Sequence, residues 1–139
     1  MTNRRQAREC ALEVLYRLDL VGDEPEHTIA EILLRRNPPD EAETYLRRLV
    51  DSALGNQPEI DAVLRRHLAR WRLERLTVLD RAILRLAATE ILYFDDIPPK
   101  VTINEAVEIA KKYGDDDAGK FVNGVLDSVF QETDRVNQP

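Results

Sequence analysis

The stretch Thr77-Val78-Leu79-Asp80-Arg81-Ala82-Ile83-Leu84-Arg85-Leu86-Ala87-Ala88-Thr89-Glu90-Ile91 decides the fold class. Its apolar residues Leu79, Ala82, Ile83, Leu86, Ala87 and Ile91 recur at three- and four-residue spacing, which is one face of a helix and not a strand. Thr77 suits the capping position, and Asp80 brings negative charge to the first turn, where the helix dipole favours it. Pro98-Pro99 ends the element. Glu90 lies about 20° from Leu79 on the helical wheel, so a carboxylate sits near the apolar face. A lone buried charge is costly, so Glu90 requires partners: the backbone at the next helix start, or an arginine. No second titrating group accompanies it, and a structural role is expected rather than that of a general base.

The same spacing extends in both directions. Upstream, Ala7, Ala11, Val14, Leu15 and Leu18 form a stripe with Cys10 beside it, closed by Gly22 and Pro25. A weaker helix from about Glu26 to Arg36 turns Ile29, Ile32 and Leu33 inward. Asp40 is placed to cap a third helix with Glu43 three residues on, carrying Ala42, Tyr45, Leu46, Leu49, Val50 and Ala53 as far as Gly55. Pro58 opens a fourth helix bearing Ile60, Val63, Leu64 and Leu68. A break from Trp71 to Leu76 precedes the central stretch. Downstream, Thr102 and Glu105 read as a capping box for a helix with Ile103, Ala106, Val107 and Ala110, stopped by Gly114. The last helix starts near Asp116, carries Val122, Val125, Leu126, Val129 and Phe130, and is expected to fray after Glu132. The reading is all-α: about seven helices in two small helical bundles, 1–57 and 58–139, packed as one unit in a single domain spanning 1–139.

Composition removes several classes of function. The 139 residues carry 20 Lys plus Arg against 26 Asp plus Glu, a formal net charge of -6, so any nucleic-acid site must be a local patch. No apolar run approaches a membrane span. Met1 to Cys10 is arginine-rich and lacks the apolar core of a secretory signal. The single cysteine precludes an internal disulfide and fits a reducing, cytoplasmic setting. The helical spacing around Cys10 points to a core residue, not a nucleophile. His27 and His67 have no partner at metal or nucleophile spacing, so a surface or structural role is expected of both.

Two near misses lie between Gly114 and Lys120. Gly, four residues, then Gly119-Lys120 imitates a phosphate loop, but a helix precedes it where a strand is needed, and Phe121 offers no hydroxyl for magnesium. Asp115, Asp116 and Asp117 would repel a triphosphate. Twelve residues on from Asp115 or Asp117 no glutamate closes a calcium loop. Acids complementing a helix dipole are the simpler reading. No catalytic residue, metal site or cofactor is expected.

The positive charge is uneven. Arg4, Arg5 and Arg8, with Gln6, lie off the first stripe in a segment whose first nine residues hold three arginines and one acid. Guanidinium forks match phosphate oxygens and stack on exposed bases. Seven arginines between Arg65 and Arg85 oppose only Glu74 and Asp80, though many simply flank core positions. Lys111, Lys112, Tyr113 and Lys120 combine cations with an aromatic around the last turn, a pairing suited to single-stranded RNA. The neighbouring aspartates temper it.

Several blocks carry a family resemblance. Arg4-Arg5-Gln6-Ala7-Arg8-Glu9-Cys10-Ala11 with Leu15-Tyr16, Asp80-Arg81-Ala82-Ile83-Leu84-Arg85-Leu86-Ala87 with Glu90, Ile103-Asn104-Glu105-Ala106-Val107-Glu108-Ile109-Ala110-Lys111, and Lys120-Phe121-Val122-Asn123-Gly124-Val125-Leu126 occur in the order and spacing of the NusB transcription antitermination family. The chain resembles that family over nearly its whole length. The resemblance implies an all-helical fold without catalysis or cofactor. It also implies binding to boxA RNA of ribosomal RNA leaders together with NusE, the small-subunit ribosomal protein, within an RNA polymerase antitermination complex. It assigns RNA contact to Arg4, Arg5, Arg8, Glu9 and Gln6, then to Tyr16, Tyr113, Asp117 and Lys120, and places Asp80 toward NusE. Two alternatives stand beside it. One is an RNA-binding module related to the N-terminal domain of ribosomal RNA cytosine methyltransferases. The other is a helical protein-binding adaptor or homodimer that buries the arginine face.

Overall fold

Stop signals in the sequence place the ends of most helices. The computed structural model describes residues 3–137, with side chains through Asp134. Among these residues it has α1 (Asn3–Val21), α2 (Pro25–Arg36), α3 (Asp40–Gly55), α4 (Gln57–His67), a short 3-10 turn (Leu73–Arg75), α5 (Val78–Tyr93), α6 (Pro99–Tyr113) and α7 (Asp116–Asn137). Gly22 closes α1 at φ +75°, a left-handed conformation that a residue without Cβ adopts freely. Asn37 closes α2 at φ 45°. Thr77 caps α5, its hydroxyl accepting from the Asp80 N–H at 3.1 Å. Asp115 caps α7, its carboxylate accepting from the Ala118 N–H at 2.8 Å. The acidic run therefore serves a helix start, as its position suggests.

Three expected boundaries are corrected. Asp40 is the first residue of α3 and not its cap; Pro39 occupies the capping position and makes no side-chain cap. The capping box at Thr102 and Glu105 does not form, because α6 already begins at Pro99, whose fixed φ suits a first helical turn. Both side chains have other partners, described below. And α7 continues past Glu132 to Asn137. Arg66 of α4 holds the Glu132 carboxylate at 3.0 and 3.1 Å, which ties that turn to the body.

Helix α5 is the axis. It packs against α1, α3, α4, α6 and α7, while α6 and α7 pair closely. A helix enclosed in this way is apolar around its circumference. Hence Leu84, Ala88 and Thr89, outside the expected stripe, are buried together with Ala82, Ile83, Leu86, Ala87 and Ile91. One continuous cluster links them to Ala7, Cys10, Ala11 and Val14 of α1, Leu46, Leu49 and Val50 of α3, Ile60 and Leu64 of α4, and Val122, Leu126 and Val129 of α7. Cys10 is a core side chain, and burial pushes its thiol pKa up, away from reactivity. His67 joins α4 to α7, its Nδ1 2.6 Å from the Ser128 hydroxyl.

Candidate nucleic-acid interface

Arginines at a helix N-terminus oppose the helix dipole. Helix α1 carries Arg4, Arg5 and Arg8 there, with no acid in its first turn. Carboxylates on other elements compensate, and they divide the arginines into different roles.

Arg8 points inward. Its Nε donates to Glu90 Oε2 at 2.7 Å and its Nη2 to Oε1 at 3.0 Å. The Tyr45 hydroxyl donates to Oε2 at 2.7 Å, and the Thr102 hydroxyl to Oε1 at 2.7 Å. Each carboxylate oxygen thus accepts two hydrogen bonds, and Glu90 is only 1% exposed. Of the two partners expected for Glu90, the backbone at the next helix start or an arginine, it takes the arginine, and the Thr102 contact explains why Thr102 is not a cap. Burial pulls the Arg8 guanidinium down, but hydrogen bonding to Glu90 and its charge outweigh that, and the net shift is upward. Burial and Glu90 together push the Tyr45 phenol far above its ordinary range. Arg8 is therefore not on the accessible face with Arg4 and Arg5, because its charge is consumed inside.

Arg5 lies over α6. Its Nε and Nη2 grip the Glu105 carboxylate at 2.8 and 2.9 Å. That hydrogen bond, then the charge of Glu105, raises the Arg5 pKa, and the same bond lowers that of Glu105. One turn further along α1, Glu9 is buried and accepts from Lys112 Nζ at 2.7 Å. The two pairs advance in the same sense along both helices, so α1 and α6 run side by side. Tyr16 follows Arg5 and Glu9 on the same face of α1, about 20° from Arg5 on the helical wheel, and it is 36% exposed. At the end of α6, Lys112 Nζ sits 5.2 Å from the Tyr113 ring centroid. Lys111 is exposed and runs its stem against Gly119, where a Cβ would meet its Cγ at 2.9 Å. Lys120 is exposed on the first turns of α7. Gln6 is half-buried. Arg5 and Glu9 of α1 thus meet Glu105 and Lys112 of α6, with Tyr113 beside Lys112, while Tyr16 continues the same face of α1.

Asp117 and Asp80 lie elsewhere. They line an open groove with Asp115, Arg75, Trp71, Leu76, Ala118 and Phe121. Trp71 is 58% exposed. Burial, reinforced by the charge of Asp115, raises the Asp80 pKa against the opposing hydrogen bond from Thr77.

Arg48, Phe94 and Asp96, which no sequence motif singles out, join Arg4. Arg48 Nη2 and Nη1 bind Asp96 at 2.7 and 3.0 Å, and Arg4 approaches the same carboxylate at 3.8 Å. The one signal in the sequence is the three-residue spacing of Arg48 from Tyr45. His27 is exposed, as a surface role requires, but it does have neighbours at metal spacing: Asp23, His27 and Glu31, four residues apart, bring possible ligand atoms within 4.8 Å of one another. All three are exposed, and Arg17 binds Glu31 at 2.6 Å.

Residues 5–131 match the NusB family model. The chain belongs to the NusB family. It is 44% identical over 126 residues to the transcription antitermination protein NusB of Bacillus licheniformis, covering 91% of this chain and 95% of that one. A solved structure of antitermination factors NusB and NusE in complex with double-stranded RNA matches with a TM-score of 0.88 at 36% identity, over 95% of this chain and 98% of that one. T. maritima NusB matches with a TM-score of 0.87 at 40% identity, over 94% and 92% of the two chains. The all-helical NusB fold is thus shared by this chain and the two solved structures. Among the described residues no helix is long and apolar enough to cross a membrane.

Proposed function

We propose that this NusB family member is a non-enzymatic, cytoplasmic RNA-binding antitermination factor. It holds a single-stranded boxA segment of a ribosomal RNA leader on the face of α1 that adjoins α6, binds NusE, and joins an RNA polymerase antitermination complex. The observation that carries this reading is the pairing of α1 with α6 through Arg5–Glu105 and Glu9–Lys112, with Tyr16 further along that face of α1 and Tyr113 beside Lys112. Cations spaced along a helix suit a phosphate backbone, and half-exposed tyrosines suit unstacked bases. The matched structure containing NusB, NusE and RNA supports the choice of partners. Lys111 and Lys120 add cations at the α6–α7 turn, and Gln6 is a further polar residue of α1. Arg8 and Glu9 serve the interface from behind, by fixing α1 against α5 and α6.

The groove between Trp71 and Phe121 is the NusE site in this reading, with Asp80, Asp115 and Asp117 offering acids to a basic partner. Mobility-shift titration of a leader RNA against the chain, alone and with NusE, tests both halves. RNA binding that is tighter with NusE, and weakened by Arg4→Ala with Arg5→Ala, is the expected result. Equal binding by the double variant would place the RNA elsewhere. A concentration-dependent dimer that loses RNA would favour the adaptor instead.

A further inference from the structure

Three guanidiniums crowd one ring. The Cζ atoms of Arg4, Arg8 and Arg48 lie 5.2, 5.9 and 5.9 Å from the Tyr45 ring centroid. Arg8 turns inward to Glu90, as described. Arg4 and Arg48 emerge at the surface, their side chains 51% and 45% exposed, and converge on the Asp96 carboxylate. Arg48 also rests over an aromatic ring: its Cζ lies 3.9 Å from the Phe94 ring centroid. Phe94 in turn meets Tyr45 edge to face, with centroids 5.8 Å apart. Asp96 is carried on the short connection between α5 and α6, outside both helices. Hydrogen bonding to Arg48 holds its carboxyl well below the ordinary range.

A carboxylate gripped by two guanidiniums, one of them bidentate, has the contacts that arginines offer a phosphate. The pair is exposed and contributes little to stability, so it can be exchanged for another anion. Stacking on Phe94 keeps the fork in place whichever anion occupies it. Helix α3 thereby adds a cation beside the start of α1, where the proposed RNA strip begins.

We propose that Arg48 and Arg4 form a phosphate fork for RNA, and that Asp96 occupies this fork as an internal surrogate until a backbone phosphate displaces it. The proposal rests on the reading that RNA lies along α1. It adds Arg48 as a contact and makes Asp96 a built-in competitor. The phosphodiester takes over the carboxylate's place on the guanidiniums, and Asp96, tethered on the α5–α6 connection, turns out to water as a solvated anion.

The test titrates a labelled single-stranded boxA RNA with the full chain at several salt concentrations, using Arg48→Ala, Asp96→Asn, their combination, and Arg4→Ala/Arg5→Ala. Thermal melts establish that each variant is folded. Arg48→Ala is expected to weaken binding several-fold and to make the salt slope shallower by about 0.7, the value for one phosphate neutralised on a single strand. Asp96→Asn is expected to tighten binding several-fold, and that gain should vanish when Arg48 is absent. Unchanged affinity and slope for Arg48→Ala, while Arg4→Ala/Arg5→Ala weakens binding, overturns the fork and leaves the α1 reading intact. Unchanged binding by Asp96→Asn overturns the surrogate. Indifference to every variant overturns the α1 reading itself, and the fork with it.

Discussion

Arg8 of α1 and Glu90 of α5 meet in the interior as a two-point ion pair, with N–O distances of 2.7 and 3.0 Å. The Tyr45 and Thr102 hydroxyls complete the carboxylate's shell, so α1, α3, α5 and α6 are joined at one group. Breaking such a pair by removing one partner leaves the other charge buried without compensation. Arg8→Ala should therefore lower unfolding stability by about 3–5 kcal/mol. Arg8→Met with Glu90→Gln leaves no unpaired charge and should recover part of that loss. Urea midpoints of the three proteins check this. If Arg8→Ala melts like the parent, the pair is not structural.

How far this is legible in the sequence depends on which residues meet across sequence distance. Helix type and stop signals are local, and Gly22, Pro58, Thr77 and Gly114 mark them directly. Burial of Glu90 is readable from its angle to Leu79, and so is its need for a partner. Which arginine answers is not readable, because Arg8 lies 82 residues away. The same distance hides the role of Glu105. Its spacing from Thr102 imitates a capping box, whereas its partner is Arg5, 100 residues away. The α1 arginines are visible as a cluster. Their division into one buried strut and two surface cations follows from the packing of α5 and α6, which no local pattern encodes.

The surface arginines predict a salt effect. Replacing Arg4 and Arg5 with Ala removes two cations from the proposed RNA face while leaving Arg8 in place. The log–log salt slope of RNA binding should become shallower by about 0.7 for each phosphate no longer neutralised, and affinity at low salt should fall more than at high salt. Titrations across salt concentration measure both. Parallel lines for parent and variant would show that neither arginine meets phosphate.

Asp96 gives a pH signature. Hydrogen bonding to Arg48, partly opposed by desolvation, pulls its carboxyl from an ordinary 3.8 down to about 2. A carboxyl lowered on folding contributes stability that is present above its unfolded value and is lost as pH falls through the folded one. The contribution should thus be intact at neutral pH and disappear between roughly pH 4 and 2, in the window set by those two values. Carbon-detected NMR titration of Asp96 should show a midpoint near 2 in the parent and a return toward 3.8 in Arg48→Ala. An unshifted midpoint in the parent would mean that the ion pair is not maintained in solution.

Asp115 and Asp117 are near neighbours in sequence but differ in task. The Asp115 carboxylate accepts from the Ala118 N–H at 2.8 Å, so Asp115→Ala should cost about 0.5–2 kcal/mol, while Asp115→Asn keeps the cap. Asp117 lines the groove with Asp80. If its charge repels RNA passing the α6–α7 turn, Asp117→Asn should tighten RNA binding with little change in melting temperature. Calorimetry and RNA titration on Asp115→Ala and Asp117→Asn separate the tasks. Equal loss of stability in both would mean that Asp117 also supports the helix start.

The groove makes a prediction that the RNA strip does not. It is lined by the aromatic side chains of Trp71 and Phe121 together with Asp80, Asp115 and Asp117. Aromatic anchors surrounded by charge are the usual makings of a binding hot spot. Trp71→Ala should therefore weaken NusE binding by at least tenfold, the consequence of losing about 1.4 kcal/mol or more. Asp80→Lys should act mainly on the association rate, since a rim charge steers encounter more than it holds the complex. RNA binding by the chain alone should change little in Trp71→Ala, because Arg4, Arg5 and Lys112 belong to the other surface. With NusE present, RNA affinity should fall in step with NusE affinity, because the coupling between two ligands is reciprocal. Surface plasmon resonance with immobilised NusE, followed by RNA titration with and without NusE, measures each of these effects. Loss of RNA binding by Trp71→Ala in the absence of NusE would merge the two surfaces and remove the separation on which the partner assignment stands.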